Sequence, residues 1–231
     1  MERIDKVIGT FEKTDEAPCV DSTRVSRAVI SRLPRYHRYL RMLIEEGCLR
    51  ISSSELSRRM NVTASQIRQD LNCFGGFGQQ GYGYNVKYLY GKISELLGVN
   101  EGYRMVIIGA GNLGRALAGT HMFERRGIER ICMFDNDPAV VGQVMFGLPV
   151  YHIDRLEEIC RGEGVDFAVM TTPREAAPAI AERLASLGIK GILNFANTEL
   201  AVTRPDIIIE NVHLSDPLMK FCYDLKHKRE K

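Results

Sequence analysis

The spacing of apolar residues predicts an α/β protein made of two unlike parts. A basic cluster of short helices closed by a glycine-rich ribbon comes first, and a doubly wound parallel sheet follows it. Three observations carry this reading. Apolar residues recur at helical spacing between Leu33 and Phe74, glycines alternate with aromatics from Gly75 to Tyr84, and the buried-strand run Arg104 to Ile108 opens onto Gly109-Ala110-Gly111-Asn112-Leu113-Gly114.

A length of 231 residues suits one large domain or two modest ones, and 45% apolar with 26% charged residues is an ordinary globular composition. No apolar run is long enough to cross a bilayer, so no membrane partner is expected. The chain opens with charge, Glu2 to Lys6, and not with a signal-peptide pattern. Its six cysteines (Cys19, Cys48, Cys73, Cys132, Cys160, Cys222) form no CxxC pair and no metal-ligand spacing. Scattered thiols of this kind predict a cytoplasmic protein with no metal, the cysteines being buried bystanders. The charge is uneven. Between Ser22 and Tyr90 eleven basic residues, ten of them Arg, stand against four acidic ones, an excess of +7 in a chain of formal charge +2. One end of such a chain is suited to a polyanion, although a solvated basic surface carries the same charge.

Residues 1–22 are polar and aperiodic and read as a flexible tail. Leu33, Tyr36, His37, Leu40, Leu43 and Ile44 then share one helical face that ends at Gly47, with Arg35, Arg38 and Arg41 opposite. Ser52 and Glu55 are spaced as a capping box ahead of Leu56 to Met60. The third helix has the clearest start: Thr63 caps it, Gln66 holds the reciprocal capping position, and Val62 can staple onto Ile67. Its stripe of Ile67, Leu71 and Phe74 turns Ser65, Arg68, Gln69 and Asn72 outward, and Gly75 stops it. Arg suits guanine, and Gln or Asn suits adenine, in a major groove. Three helices so spaced suggest a helix-turn-helix whose last helix reads DNA, with Ser65, Gln66, Arg68 and Gln69 as base readers. The ribbon behind it should be two-stranded, turning near Gln79 and Gln80, which makes it a wing. Arg58, Arg59 and the wing residues Gln79, Gln80, Gly81 and Tyr82 would hold phosphates. A plain surface hairpin is the bland alternative. Asn85 caps a further helix through Val86, Leu89, Ile93, Leu96 and Leu97 that Gly98 closes.

Downstream, the GxGxxG loop lies between strand and helix, and a second strand, Ile131 to Phe134, ends at Asp135. That context makes a weak motif strong. Gly109 permits the turn, Gly111 admits a pyrophosphate, Gly114 lets the helix pack, and the helix N-terminus faces the phosphates. Asp135 would accept from a ribose hydroxyl and repel a 2′-phosphate, favouring NAD(H) over NADP(H). A Rossmann-like fold that binds no dinucleotide, or a related ligand such as coenzyme A, is the competing reading. The rhythm continues with strand Asp166 to Met170, Thr171-Thr172-Pro173, a helix from about Arg174 to Leu187, strand Gly191 to Asn194 and strand Ile207 to Glu210. Ligands sit beyond the carboxyl ends of such strands, so Thr171, Thr172, Pro173, Asn194 and Phe195 are candidates for the nicotinamide side or ordinary loop residues. A helix-like stretch from Asp216 to Lys226 and a basic tail are all that follow, which leaves no catalytic domain. His152 falls in a connecting segment, and neither His121 nor His213 has an evident acid partner. A binding module that is not an enzyme fits best.

Ser31-Arg32-Leu33-Pro34, Ser65-Gln66-Ile67-Arg68, Gly81-Tyr82-Gly83-Tyr84-Asn85-Val86, Gly109 to Gly114 and Gly188 to Phe195 together carry a resemblance. From about Ile30 to Leu225 the chain resembles the Rex family of redox-sensing transcriptional repressors. The resemblance implies a homodimer on a double-stranded, A·T-rich inverted-repeat operator, compatible with NAD⁺ and released by NADH. It also implies a C-terminal helix swapped between subunits. It assigns signalling to Arg38 and to the positions of Thr120 and His213, where the family has Tyr and Asp. Other departures are Gln69 and the wing tip Gln79-Gln80 in place of basic residues, and Asn197 in place of Pro. The resulting division is a flexible tail at 1–22, a winged helix-turn-helix DNA-binding domain with its linker helix at 23–98, a Rossmann-type NAD(H)-binding domain at 99–212 and the swapped helix at 213–231. An NAD-dependent oxidoreductase with a basic accessory domain, and a Rex-fold DNA-binding protein without an NADH response, remain open at this point.

Overall fold

Leu33, Tyr36, Leu40 and Leu43 repeat every three or four residues, and in the computed structural model they are the buried face of helix α2 (Leu33–Glu45). The structure describes residues 25–73, 78–79 and 82–228, with the side chains of 78–79 excepted. The expected tail (1–22), Phe74, the helix stop at Gly75, and Gln80 and Gly81 of the wing lie outside the described residues. The chain divides between Gly98 and Val99 into two compact units.

In the first unit α1 (Arg27–Ile30), α2, α3 (Ser53–Met60), α4 (Ala64–Asn72) and α5 (Val86–Leu96) enclose one apolar core. The cap side chains work as their spacing predicts. Ser52 accepts from the Glu55 amide at 3.1 Å, Thr63 from Gln66 at 3.2 Å and Asn85 from Tyr88 at 3.0 Å. The ribbon differs from expectation. It is a three-stranded antiparallel sheet ordered β1 (Arg50–Ile51), β3 (Gly83–Asn85), β2 (Gly78–Gln79). Gln79 pairs with Gly83 inside the ladder; the expected turn at Gln80 lies outside the described residues. Two residues are too few for β1 to show a period. What places it is Ile51, buried opposite Tyr84. Gly83 has φ +71°, and a Cβ there would stand 2.6 Å from the Ile51 carbonyl oxygen, so the third strand itself demands the glycine.

The second unit is a seven-stranded sheet in the order β10-β9-β8-β4-β5-β7-β6. Its strands are β4 (Arg104–Ile108), β5 (Glu129–Asp135), β6 (Val144–Met145), β7 (Leu148–His152), β8 (Phe167–Met170), β9 (Gly191–Asn194) and β10 (Ile208–Asn211). All pairs are parallel except β6 with β7. Val106 and Ile108 enter one core and Met105 and Ile107 the other. Both faces are covered by apolar residues, which explains the unbroken apolar strands. Helices α6 (Asn112–Ala118), α7 (Leu156–Glu163) and α8 (Ala177–Ser186) alternate with the strands. Strands β6 and β7 and helix α7 were not foreseen, and His152 closes β7 where a connecting segment was expected; Pro149 interrupts the strand signal there. Helix α8 starts at Ala177, not Arg174, with Pro178 in its first turn. The last helix, α9 (Ser215–Lys228), buries none of its residues. Nor are all the cysteines buried. Burial pushes the Cys132 thiol up to about 12 and the Cys160 thiol up to about 11, whereas Cys73 and Cys222 are exposed and Cys48 is half-buried.

One polar cluster crosses the first core. Asp70 of α4 is 1% exposed and accepts from Arg32 Nε and Nη2 (2.7 and 2.6 Å), Tyr36 Oη (2.9 Å) and Gln66 Nε2 (2.8 Å). Among the described residues no bond runs from the Thr63 amide to the Gln66 side chain, so the capping box is closed on one side only. Burial alone would raise the Asp70 pKa, but the hydrogen bonds from Arg32, Gln66 and Tyr36 outweigh it and hold the carboxyl below its usual range. Burial and the same carboxylate push the Tyr36 hydroxyl well up. Asp70→Ala would strand Tyr36 and Arg32, and we expect a loss of about 3 kcal/mol by chemical denaturation, the lower end of the buried-pair range because Arg32 is a third exposed. The folded state favours the carboxylate. Its contribution is therefore complete above the unfolded pKa of about 3.9 and is lost as pH falls through the lower folded value. The variant should lack that acid limb.

Candidate functional site

The strand order reverses between β4 and β8, and the loops after these strands meet there. Gly109 takes φ +101°, where a Cβ would stand 2.9 Å from the Thr171 carbonyl oxygen. Thr171 donates its hydroxyl to the Ile108 and Gly109 carbonyls at 3.0 and 2.9 Å. At Gly114 a Cβ would lie 1.9 Å from the Gly109 carbonyl oxygen, so α6 rests directly on the loop. Gly111 is the opposite case, with no atom within 4 Å of where its Cβ would stand. It lines a cavity of about 390 Å³ together with Gly109, Ala110, Asp135, Thr171, Thr172 and Pro173.

Three further features of this cavity suit a nucleotide. Asp135 turns back on the glycine loop, accepting from the amides of Ala110 (2.6 Å), Asn136 (2.8 Å) and Asp137 (2.9 Å). A carboxylate offers about four acceptor sites, which leaves capacity for a hydroxyl. The Thr172 hydroxyl oxygen is buried and has no hydrogen-bond partner; an orphaned polar atom in a cavity wall is matched by a ligand's polar group. Arg115, which the sequence reading passed over, lines the cavity and donates from Nε to the Ala110 carbonyl at 2.6 Å. Its guanidinium suits a diphosphate, and the signal was a cation directly after the third glycine.

Not every expected residue arrives at the cavity. Asn112, Leu113 and Gly114 begin α6 behind the loop and do not line it. Asn194 is fully buried and committed, donating to the Thr198 carbonyl and Asn211 Oδ1 and accepting from the Ala196 amide. Phe195 packs on the core beside Met105 and Ile107. The apolar wall near Pro173 comes instead from Ala176 and Ile180. His121 and His213 do have acid neighbours, Glu124 at 3.5 Å and Glu199 at 2.9 Å.

In the first unit Ser65, Arg68, Gln69 and Asn72 are exposed along one side of α4, as the stripe predicts. Arg68 reaches Ser53 Oγ at 3.1 Å. Gln66 is set apart from these readers because its amide nitrogen is turned to Asp70. Arg58 is exposed, whereas Arg59 is paired with Glu46 at 2.6 Å. Tyr82 is 71% exposed, with the Arg50 guanidinium 5.9 Å from its ring centre. Among the described residues there is no cluster of three metal-ligating side chains, and no helix is long and apolar enough to cross a membrane.

Two family models match the chain: "Putative DNA-binding protein N-terminus" over residues 24–72 and "CoA binding domain" over residues 100–198. The redox-sensing transcriptional repressor Rex of Caldicellulosiruptor bescii is 48% identical over 204 residues, spanning 88% of this chain and 94% of the relative. That of Caldanaerobacter subterraneus is 48% identical over 206 residues, spanning 89% and 92%. The chain belongs to the Rex family of redox-sensing transcriptional repressors. Among solved Rex-family structures, RSP in complex with β-NAD⁺ and operator DNA matches with a TM-score of 0.83 at 47% identity, covering 89% of this chain and 94% of that one. RSP in complex with β-NADH matches with a TM-score of 0.82 at 44% identity, covering 89% and 96%.

The Rex resemblance singles out Arg38, Thr120 and His213. Arg38 belongs to the first unit and lies 5.7 Å from the Tyr39 ring centre. Thr120 and His213 belong to the second, where Thr120 donates to the Leu117 carbonyl at 3.0 Å. The glycine contacts separate folding from binding. Gly114→Ala should cost at least about 1–3 kcal/mol of overpacking, and Gly111→Ala should stay within about 0.5 kcal/mol of the parent. Equilibrium denaturation decides, and equal costs would show that the loop is not held by the Gly109–Gly114 contact.

Proposed function

We propose that this Rex-family chain is a cytoplasmic, homodimeric repressor that binds an A·T-rich inverted-repeat operator and is released by NADH. The observation that carries the reading is one chain holding both an outward polar face on α4 and a glycine-lined cavity at a sheet reversal. Its relative RSP has been solved with β-NAD⁺ and operator DNA and with β-NADH. Domains at 23–98 and 99–212, with a C-terminal helix at 213–231, follow from the same reading.

On this proposal Ser65, Arg68 and Gln69 contact bases, and Arg58 and the wing contact phosphates. The loop Gly109–Gly111 and Arg115 hold the diphosphate, and Asp135 the adenosine ribose. Thr171, Thr172 and Pro173 border the nicotinamide, beside the apolar Ala176 and Ile180. A cationic NAD⁺ ring is disfavoured against a dry apolar wall and the neutral dihydronicotinamide is not, which supplies a difference between the two ligands. Coenzyme A and NAD(H) share an adenosine diphosphate, so a match to a CoA-binding model is compatible with either. Helix α9 leaves Leu218, Phe221 and Leu225 exposed; a helix with apolar residues and none of them buried is suited to exchange with a second copy.

Fluorescence anisotropy with an inverted-repeat duplex at fixed salt tests the reading. NADH should weaken binding roughly 5- to 150-fold, the usual range of allosteric coupling, and NAD⁺ should not. Equal affinity with both nucleotides would sink it. Gln69→Lys should make the slope of log K against log salt steeper by about 0.9, one added phosphate contact; an unchanged slope would place this position off the DNA backbone.

A further inference from the structure

The buried end of β9 is wired to the root of α9. Asn194 is fully buried, and its carbonyl and both side-chain polar atoms are used: the carbonyl accepts from Val212 at 2.8 Å, Oδ1 accepts from Ala196, and Nδ2 donates to the Thr198 carbonyl and to Asn211 Oδ1, both at 2.8 Å. Asn211 sits opposite Asn194 in the β9–β10 register and passes the contact outward, donating from Nδ2 to Glu199 Oε2 at 2.6 Å. The other oxygen of Glu199 lies 2.9 Å from His213 Nε2. A carboxylate only accepts, so Nε2 carries the proton. The His213 carbonyl then accepts from the Asp216 amide at 3.2 Å, in the first turn of α9. At its inner end the chain continues to the cavity. The Phe195 amide donates to the Met170 carbonyl, and the next residue, Thr171, lines the cavity and clasps the glycine loop.

We propose that Glu199 is a positioning residue, acting through His213, that ties the root of α9 to the nucleotide-side end of the sheet and so transmits nucleotide binding to that helix. The transmission rests on the repressor reading above; the tie itself does not. Glu199 suits the role because its two oxygens take one donor each, from a strand and from the segment entering the helix. Its side chain is 75% exposed, so the pair adds little to global stability and can be altered without unfolding the sheet. An element whose anchoring is local and weak is one that a ligand can shift.

The test uses the full-length chain. Operator affinity is measured by anisotropy with saturating NADH and with NAD⁺, and amide hydrogen exchange is followed over Ser215–Lys228. Glu199→Ala and His213→Ala should each bring a coupling of roughly 5- to 150-fold close to unity, and the double variant should lose no more than either single one. His213→Gln keeps an amide donor for the carboxylate and should retain coupling within about twofold of the parent. Exchange in the first turn of α9 should quicken in both alanine variants and not in His213→Gln. Additive losses, failure of the glutamine variant to rescue, or unchanged exchange in Glu199→Ala would overturn the proposal. Should the parent chain ignore NADH, the repressor reading fails, and exchange alone decides the tie: faster in Glu199→Ala supports it, unchanged removes it.

Discussion

The cavity exists because three backbone surfaces touch where side chains would ordinarily keep them apart. The Gly109 carbonyl sits where a Cβ of Gly114 would be, and Thr171 closes over Gly109 from the neighbouring strand. That contact forces the chain to turn sharply at the end of β4 and sets α6 on the loop. It leaves Gly111 facing free space, where the backbone can be approached more closely than any side chain would permit. Asp135 and Arg115 then brace the same loop from two sides through the amide and carbonyl of Ala110. Binding geometry is thus fixed by packing before any ligand arrives, which keeps the ordering cost of binding low.

The first unit solves a different problem by a related means. Helix α4 presents polar side chains outward on a short apolar stripe. Asp70 adds a polar lock on the inward side, joining α4 to Arg32 and Tyr36 at the start of α2. The lock also draws in Gln66, which narrows the outward face to Ser65, Arg68, Gln69 and Asn72. A buried carboxylate is costly unless fully satisfied, and here four donors meet it. Specificity of the docking angle follows from that requirement.

Helix α9 is the element with no stability of its own making. It has exposed apolar residues and none that are buried, and its root is held to the buried Asn194 through the Val212 amide and through His213 and Glu199. Full burial at Asn194 and exposure all along α9 meet at the Glu199–His213 pair.

Much of this was legible in the residues alone. Caps at Ser52, Thr63 and Asn85, the outward side of α4, the glycine loop and strands β4 and β9 all follow from local rules in which one side chain meets a neighbour a few positions away, or from a period repeated long enough to read. What lay beyond reach depended on partners distant in sequence. Asp70 falls on the apolar stripe of α4, but only the fold brings it Arg32, 38 residues away. Strand β1 is two residues long and becomes a strand only because Tyr84 pairs with Ile51. Asn194 and Phe195 are correctly placed at a strand end, yet the tertiary structure turned one into a hydrogen-bond hub and half-buried the other against the core. It also gave His213 a carboxylate from 14 positions upstream. Local chemistry determined the elements and their signals; which polar atoms remain for a ligand was decided only by the contacts that folding consumed.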